Sequence, residues 1–297
     1  MLKHHAPSPA SPSRAVIVGA AGFVGKAAMA RLLARGVPVA GLARADVDLL
    51  AAGAGAQLAA TLRPGDTLVV IAAQAPVKNH AMLVDNLRMM AAVCVAMAAV
   101  PPGHLVYVSS DAVYADSDAP LTEASCAQPA SLHGVMHLAR EVMLADTAKV
   151  PLCILRPTLI YGAADPHNGY GPNRFRRLSQ RKEDIVLFGE GEERRDHVYI
   201  DDVAELVARC VAHKSEGVLN VATGTVTTFH GIATQVAALA PAKPAIRTSP
   251  RSGPLPHRGY RAFDAASTGR AFPDFRYTPL ATGLALSQKQ EFGNDRI

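Results

Sequence analysis

The chain contains no tryptophan, four cysteines in 297 residues, and no run of Lys or Arg longer than two. Cys94, Cys126, Cys153 and Cys210 form no Cys-x-x-Cys pair, and three of them lie in apolar stretches, so they read as reduced residues of a cytoplasmic protein, not as a disulfide framework. The net charge of +5 and the pI near 9.1 would attract polyanions. Because the basic residues are scattered, nucleic acid is not the expected partner; an anionic small substrate needs only two or three arginines. The apolar run 89–100 is too short to cross a membrane. Residues 1–13, rich in Pro, Ser and Ala, lack the apolar centre of a signal peptide and read as a disordered tail. There is no internal repeat.

What is present is an ordinary globular composition, 49% hydrophobic and 19% charged. The length suits a large α/β domain with a smaller lobe. Short β-branched runs at 15–18, 37–42, 67–72, 105–109 and 152–156 alternate with helical patterns at 24–35, 81–100 and 132–148. That rhythm predicts a doubly wound parallel sheet. After Tyr161-Gly162 the composition shifts to Pro, Gly, Asn and Arg, which marks an excursion into a second lobe. Asp201-Asp202 then starts a helix over 203–211, residues 219–221 make a further strand, and the proline-rich stretch 241–256 is an extended path over the lobe. The expected division is therefore a Rossmann-like domain over 14–162 that also receives 195–240, with a C-terminal substrate-binding lobe from 163–194 and 241–297.

The strand at 15–18 runs into Gly19-Ala20-Ala21-Gly22-Phe23-Val24-Gly25. Gly19 permits the tight turn, Gly22 lets a pyrophosphate approach backbone N–H groups, and Gly25 lets the helix pack on the strand. Glycine patterns alone are common, but this one sits between a strand and a helix. The second strand ends in Leu42-Ala43-Arg44 without an acid for a ribose 2′-hydroxyl. Arg44 favours the 2′-phosphate of NADP over NAD, unless it is simply a solvated surface residue.

With that loop, the chain resembles the extended short-chain dehydrogenase/reductases, the NAD(P)-dependent epimerases and dehydratases that act mostly on nucleotide sugars. The resemblance spans about 14–284. It is carried by Asp66-Thr67-Leu68-Val69-Val70-Ile71-Ala72-Ala73, Asn86, Val106-Tyr107-Val108-Ser109-Ser110-Asp111-Ala112-Val113-Tyr114, Pro120-Leu121-Thr122-Glu123, and Leu155-Arg156-Pro157-Thr158-Leu159-Ile160-Tyr161-Gly162. Its most specific part is Phe188-Gly189-Glu190-Gly191-Glu192-Glu193-Arg194-Arg195-Asp196-His197-Val198-Tyr199-Ile200-Asp201-Asp202-Val203. The resemblance implies a cofactor site from Gly19, Gly22, Phe23, Val24, Gly25, Arg44, Ala72, Ala73, Asn86, His137 and Pro157. It also implies that Ser110 bonds the substrate oxygen, that Asp111 matches the acid of sugar dehydratases although Ala112 follows it, and that Arg195 clamps a sugar-nucleotide diphosphate. Arg195 has an alternative in pairing with Asp196 or Asp201. Arg258 is a candidate second clamp, with Arg261 as its competitor. By the same resemblance the helices at 81–100 and 132–148 pair across a two-fold axis in a homodimer, unless those faces pack on the sheet.

The chain departs from the family at the proton-transfer centre, where His133 and His137 replace the Tyr and Lys of Tyr-x-x-x-Lys. Leu159 stands where many members have asparagine. An unperturbed histidine titrates near ~6.5 and can exchange a proton at neutral pH, whereas tyrosine, near ~10, needs the lysine's help. His137, one turn along, can donate to a ribose but offers no constant charge. Three readings follow. The chain is an oxidoreductase of epimerase, dehydratase or reductase type with His133 as acid/base; or it binds NADP(H) without turnover as a sensor or structural protein; or His133, His137 and Glu141 hold a metal. The third lacks the glutamate of His-Glu-x-x-His, and no metal is expected.

Overall fold

The structure, a computed structural model, describes residues 2–294. Met1 and the last three residues, the ends of the expected tail and lobe, lie outside the described residues. The first half runs β1 (Lys3–His4), β2 (Ala15–Val18), α1 (Phe23–Ala34), β3 (Val39–Leu42), α2 (Ala54–Thr61), β4 (Thr67–Val70), α3 (His80–Ala99), β5 (His104–Val108), α4 (Leu132–Thr147) and β6 (Leu152–Pro157). It continues with β7 (Leu159–Tyr161), α5 (Pro172–Gln180), β8 (Ile185–Phe188), β9 (Arg194–Tyr199), α6 (Ile200–Ala212), β10 (Ser215–Val221) and β11 (Val226–Thr228). The chain ends with α7 (Phe229–Leu239), β12 (Ile246–Ser249), β13 (Tyr260–Arg261), α8 (Ala266–Ala271) and α9 (Leu280–Asn294).

Seven strands form the main sheet in the order β3-β2-β4-β5-β6-β10-β1, parallel except for β1 at its edge. β2 and β4 are buried along their whole length, which is why they read as the runs Ala-Val-Ile-Val and Thr-Leu-Val-Val instead of alternating. On one face α1 and α6 close a core around Ile17, Leu32, Val106, Leu206 and Leu219. On the other, α2, α3 and α4 close a second around Val16, Leu58, Val93, Leu105 and Leu144. Burying each such side chain contributes roughly 1.5–3 kcal/mol. β3 lies on one side of β2 and β4 on the other, so the winding direction reverses there and opens a crevice at the carboxyl ends of both strands.

Several expectations need correction. The segment expected as a disordered tail begins with β1, paired antiparallel to Ser215 and Glu216. His4 Nδ1 lies 2.9 Å from Ser215 Oγ and His4 Nε2 lies 3.0 Å from the Ala271 carbonyl, while the His4 ring packs on His213 and Phe272. These anchors are individual side chains, invisible in a Pro- and Ser-rich composition. The apolar stretch at 89–100, all but its last residue, belongs to the 20-residue α3, which by length and composition could cross a membrane; here it packs between α2 and α4.

Of 195–240, only α6 and β10 return to the main sheet. β9 pairs with β7, β11 and β13 in a separate sheet, and α7 packs on α5 in the lobe core with Phe175, Ile185, Leu187, Phe229 and Ile232. Conversely, Phe272 and Phe275, expected in the lobe, pack in the main core. The proline-rich path contains β12, parallel to β8.

Candidate functional site

The crevice is a cavity of about 730 Å³ running from the β2 and β4 ends to the small lobe. At its centre, Gly19 adopts a φ of +96°, and a Cβ there would lie 2.6 Å from the Ala72 backbone nitrogen. A Cβ on Gly25 would lie 2.1 Å from the Gly19 carbonyl oxygen, so the loop and the first turn of α1 touch only because both residues are glycine. Gly22 caps α1 with no side-chain acceptor, and the first turn holds no acid. The orphan N–H groups of that turn suit the negative charge of a pyrophosphate. Gly19, Gly22, Phe23, Val24, Arg44, Ala72, Ala73 and Pro157 line the cavity. Asn86 does not: fully buried behind it, Asn86 bonds Gln74 N and O at 2.9 and 3.0 Å and so shapes the loop after β4. Arg44 is exposed and donates to Asp48 at 3.2 Å.

Ser131 caps α4 by accepting from Gly134 N at 3.1 Å. A Cβ on Gly134 would lie 2.0 Å from the Ala112 carbonyl, so glycine lets α4 press against the turn that carries Ser110 and Asp111. That contact brings Ser110, Asp111, His133 and His137 to one wall of the cavity. Ser110 Oγ accepts from Ala112 N at 3.1 Å. His133 and His137 meet edge to face with centroids 4.7 Å apart. Burial pushes the His133 ring below the usual imidazole range, partly opposed by the charge of Asp111 and reinforced by His167. His137 is pushed well below it, chiefly by burial and then by His133 and Arg140. Burial therefore favours the uncharged form of both rings, and only His133 has a carboxylate, that of Asp111, acting in the opposite direction.

Asp111 is committed. Arg261, buried almost completely, donates from Nε to its carboxylate at 3.0 Å and from Nη2 to its carbonyl at 2.5 Å, and reaches Asp116 at 3.2 Å. Arg261 is therefore no substrate clamp, and neither is Arg258, which stands on the surface 3.3 Å from Asp118, outside the cavity. Arg195 does line the cavity. It pairs with Glu193 at 3.2 Å, not with Asp196 or Asp201, and its buried Nε has no partner among the described residues. Glu141 turns away from the histidines to Arg156 at 2.9 and 2.5 Å and accepts from Ser109 at 2.5 Å. Among the described residues no three His, Cys, Asp or Glu side chains are grouped to hold a metal.

Sequence reasoning passed over His167, His197 and His257, which line the cavity with His133 and His137, and Tyr170 and Asn173 on the lobe side. His197 lies inside the segment that carried the resemblance, one residue beyond Asp196, so its position gave a signal. His257 sits 2.5 Å from Asp116, a contact across 141 residues that no local pattern reveals.

A family model described as the NAD dependent epimerase/dehydratase family matches residues 15–222. The dTDP-L-rhamnose 4-epimerase of Burkholderia thailandensis is 33% identical over 119 residues, which is 37% of this chain and only 33% of that protein's length. A GDP-L-fucose synthetase from Naegleria fowleri bound to NADP superposes with a TM-score of 0.83 at 17% identity, covering 99% of this chain and 97% of the other. A UDP-glucose 4-epimerase from Thermus thermophilus in complex with NAD superposes with a TM-score of 0.81 at 23% identity, covering 94% and 99%.

Proposed function

The chain belongs to the NAD dependent epimerase/dehydratase family, and on that premise we propose that it is an NAD(P)-dependent oxidoreductase acting on a nucleotide sugar or a similar hydroxyl or carbonyl substrate, with His133 as its acid/base. The observation that carries this reading is the single cavity joining an uncapped glycine turn to Ser110, His133 and Arg195. The glycine cradle and the bare helix N-terminus fit a dinucleotide. When bound, the nicotinamide supplies a hydride acceptor or donor at carbon. Gly19, Gly22 and the first turn of α1 would hold the pyrophosphate, Arg44 would favour the 2′-phosphate of NADP, and His137 would donate to the nicotinamide ribose. Arg195, which lines the cavity, binds an anionic group of the substrate through its guanidinium. Ser110 Oγ orients the substrate oxygen, and His133 takes or returns the proton of that oxygen; epimerisation, dehydration and net reduction share this step.

Leu159, beside His197 across the β7–β9 pair, puts an aliphatic side chain on this wall of the pocket. Exposed Val84, Val95, Val135 and Val142 on α3 and α4 favour a homodimer through those helices, measurable as twice the chain mass in solution. The experiment is a thermal-shift panel of nucleotide sugars in the presence of NADP or NAD. Stabilisation by cofactor alone, increased by one nucleotide class, is expected; no response to either cofactor sinks the proposal, and a response to cofactor with a flat sugar panel favours a cofactor-binding protein without turnover.

A further inference from the structure

His137 has one hydrogen-bond partner among the described residues, the Tyr107 hydroxyl 2.7 Å from its Nδ1. Tyr107 lies on β5 and is buried, and His137 is its only hydrogen-bond partner among the described residues. Two arrangements satisfy that distance. In one, Nδ1 carries the ring proton and donates to the phenol oxygen, which strands the phenolic hydrogen in the core. In the other, the phenol donates to an unprotonated Nδ1, and the ring proton sits on Nε2. A buried donor left without an acceptor costs roughly 1–3 kcal/mol, so the second arrangement prevails. The phenol is a dependable donor, since burial pushes it up to about 12.

The surroundings also oppose a doubly protonated ring. Arg140 is fully buried one turn along α4, its guanidinium 5.4 Å from the Tyr107 ring centroid and 2.7 Å from the Ala72 carbonyl. A second cation beside it would find no carboxylate, because Glu141 is taken by Arg156. His137 lines the cavity, and its Nε2 has no protein partner among the described residues.

We propose that Tyr107 is a positioning residue, whose hydroxyl fixes His137 in the Nε2–H tautomer so that His137 presents one directed hydrogen-bond donor to the cavity. The tautomer itself depends only on the fold; that this donor meets a nicotinamide ribose rests on the proposed function.

The test is ¹⁵N NMR of the histidine rings in the cofactor-free protein at neutral pH, with His137 assigned by its disappearance in His137→Gln, followed by the same spectrum of Tyr107→Phe. A pyridine-like Nδ1 and a pyrrole-like Nε2 are expected in the wild type, with a mixed tautomer in Tyr107→Phe. NADPH affinity should then fall about twofold or more, as the competent fraction of His137 drops. A pyrrole-like Nδ1 in the wild type, or an unchanged His137 signature in Tyr107→Phe, overturns the assignment. If Tyr107→Phe melts far below the wild type, the wild-type spectrum alone decides. Failure of the wild type to bind either cofactor would overturn the functional reading while leaving the tautomer result intact.

Discussion

His133 and His137 face each other edge to face across one turn of α4, with ring centroids 4.7 Å apart, yet only His133 also feels the charge of Asp111. Two histidines one turn apart thus sit in different surroundings: burial and the Tyr107 hydroxyl dominate at His137, whereas Asp111 bears on His133 at the cavity wall, where the proposed function places the proton transfer. Replacing His133 by Phe removes the proton acceptor while keeping an aromatic ring. Turnover should fall by roughly 10²–10⁴ with cofactor affinity nearly unchanged. The wild-type rate should depend on an ionisation below the ordinary histidine value, in line with the lowered His133 pKa, and a pH–rate series in both proteins checks this.

Arg258 and Arg261 are three residues apart and should behave oppositely. Asp111→Ala leaves the Arg261 guanidinium buried with only Asp116 to pair it, and should cost about 3 kcal/mol. Arg258→Ala removes an exposed surface pair and should change stability by less than about 0.5 kcal/mol. Urea denaturation of the two variants measures both.

Gly25→Ala places a methyl group against the backbone oxygen of Gly19, where no rotamer change gives relief. A loss of about 2 kcal/mol or more is expected, together with loss of cofactor binding, because the loop must move off the first turn of α1. Gly53→Ala is the control for a glycine with open space around it, although its φ of +74° will itself cost about 1 kcal/mol. Its cofactor affinity should match the wild type, as isothermal titration would report.

His104 is buried, lies 2.8 Å from the Ser215 carbonyl, and has its pKa lowered by burial from 6.5 to about 4. The folded state favours the neutral ring, so this residue's contribution is complete above pH 6.5 and is lost as the pH falls through about 4. At about 1.4 kcal/mol per pH unit the loss is on the order of 3 kcal/mol. His104→Gln has no proton to gain, so its melting temperature should rise relative to the wild type as the pH drops from 6.5 to 4. A constant difference across that range would contradict this.

The main sheet was legible because its signals are local. Fully buried strands such as β2 and β4 announce themselves as apolar runs, and Gly19-x-x-Gly22-x-x-Gly25 follows the first of them directly. The lobe was not legible in the same way. β8 pairs with β12 across about sixty residues, β13 is two residues long, and α7 belongs to the lobe although only the three-residue β11 separates it from β10 of the main sheet. At the site, Ser110, His133, His137 and Arg195 lie at the cavity where their motifs predicted. Arg258 and Asn86 do not, because sequence spacing reports a side chain's position along the chain but not the direction it points. The coupling of Tyr107 to His137 joins a strand and a helix 30 residues apart, each of which reads alone as core.

The proposed function rests on proton transfer by His133 in a cavity that also holds the glycine turn, Ser110 and Arg195. The most direct measurement is a rapid-mixing experiment in which protein loaded with NADP or NAD meets each member of a nucleotide-sugar panel while nicotinamide reduction is followed spectroscopically. Transient reduction is expected with at least one nucleotide sugar in the wild type, and none with the same sugar in His133→Phe that still binds cofactor. Equal reduction in both proteins, or none in a wild type shown to hold cofactor and sugar together, would contradict it.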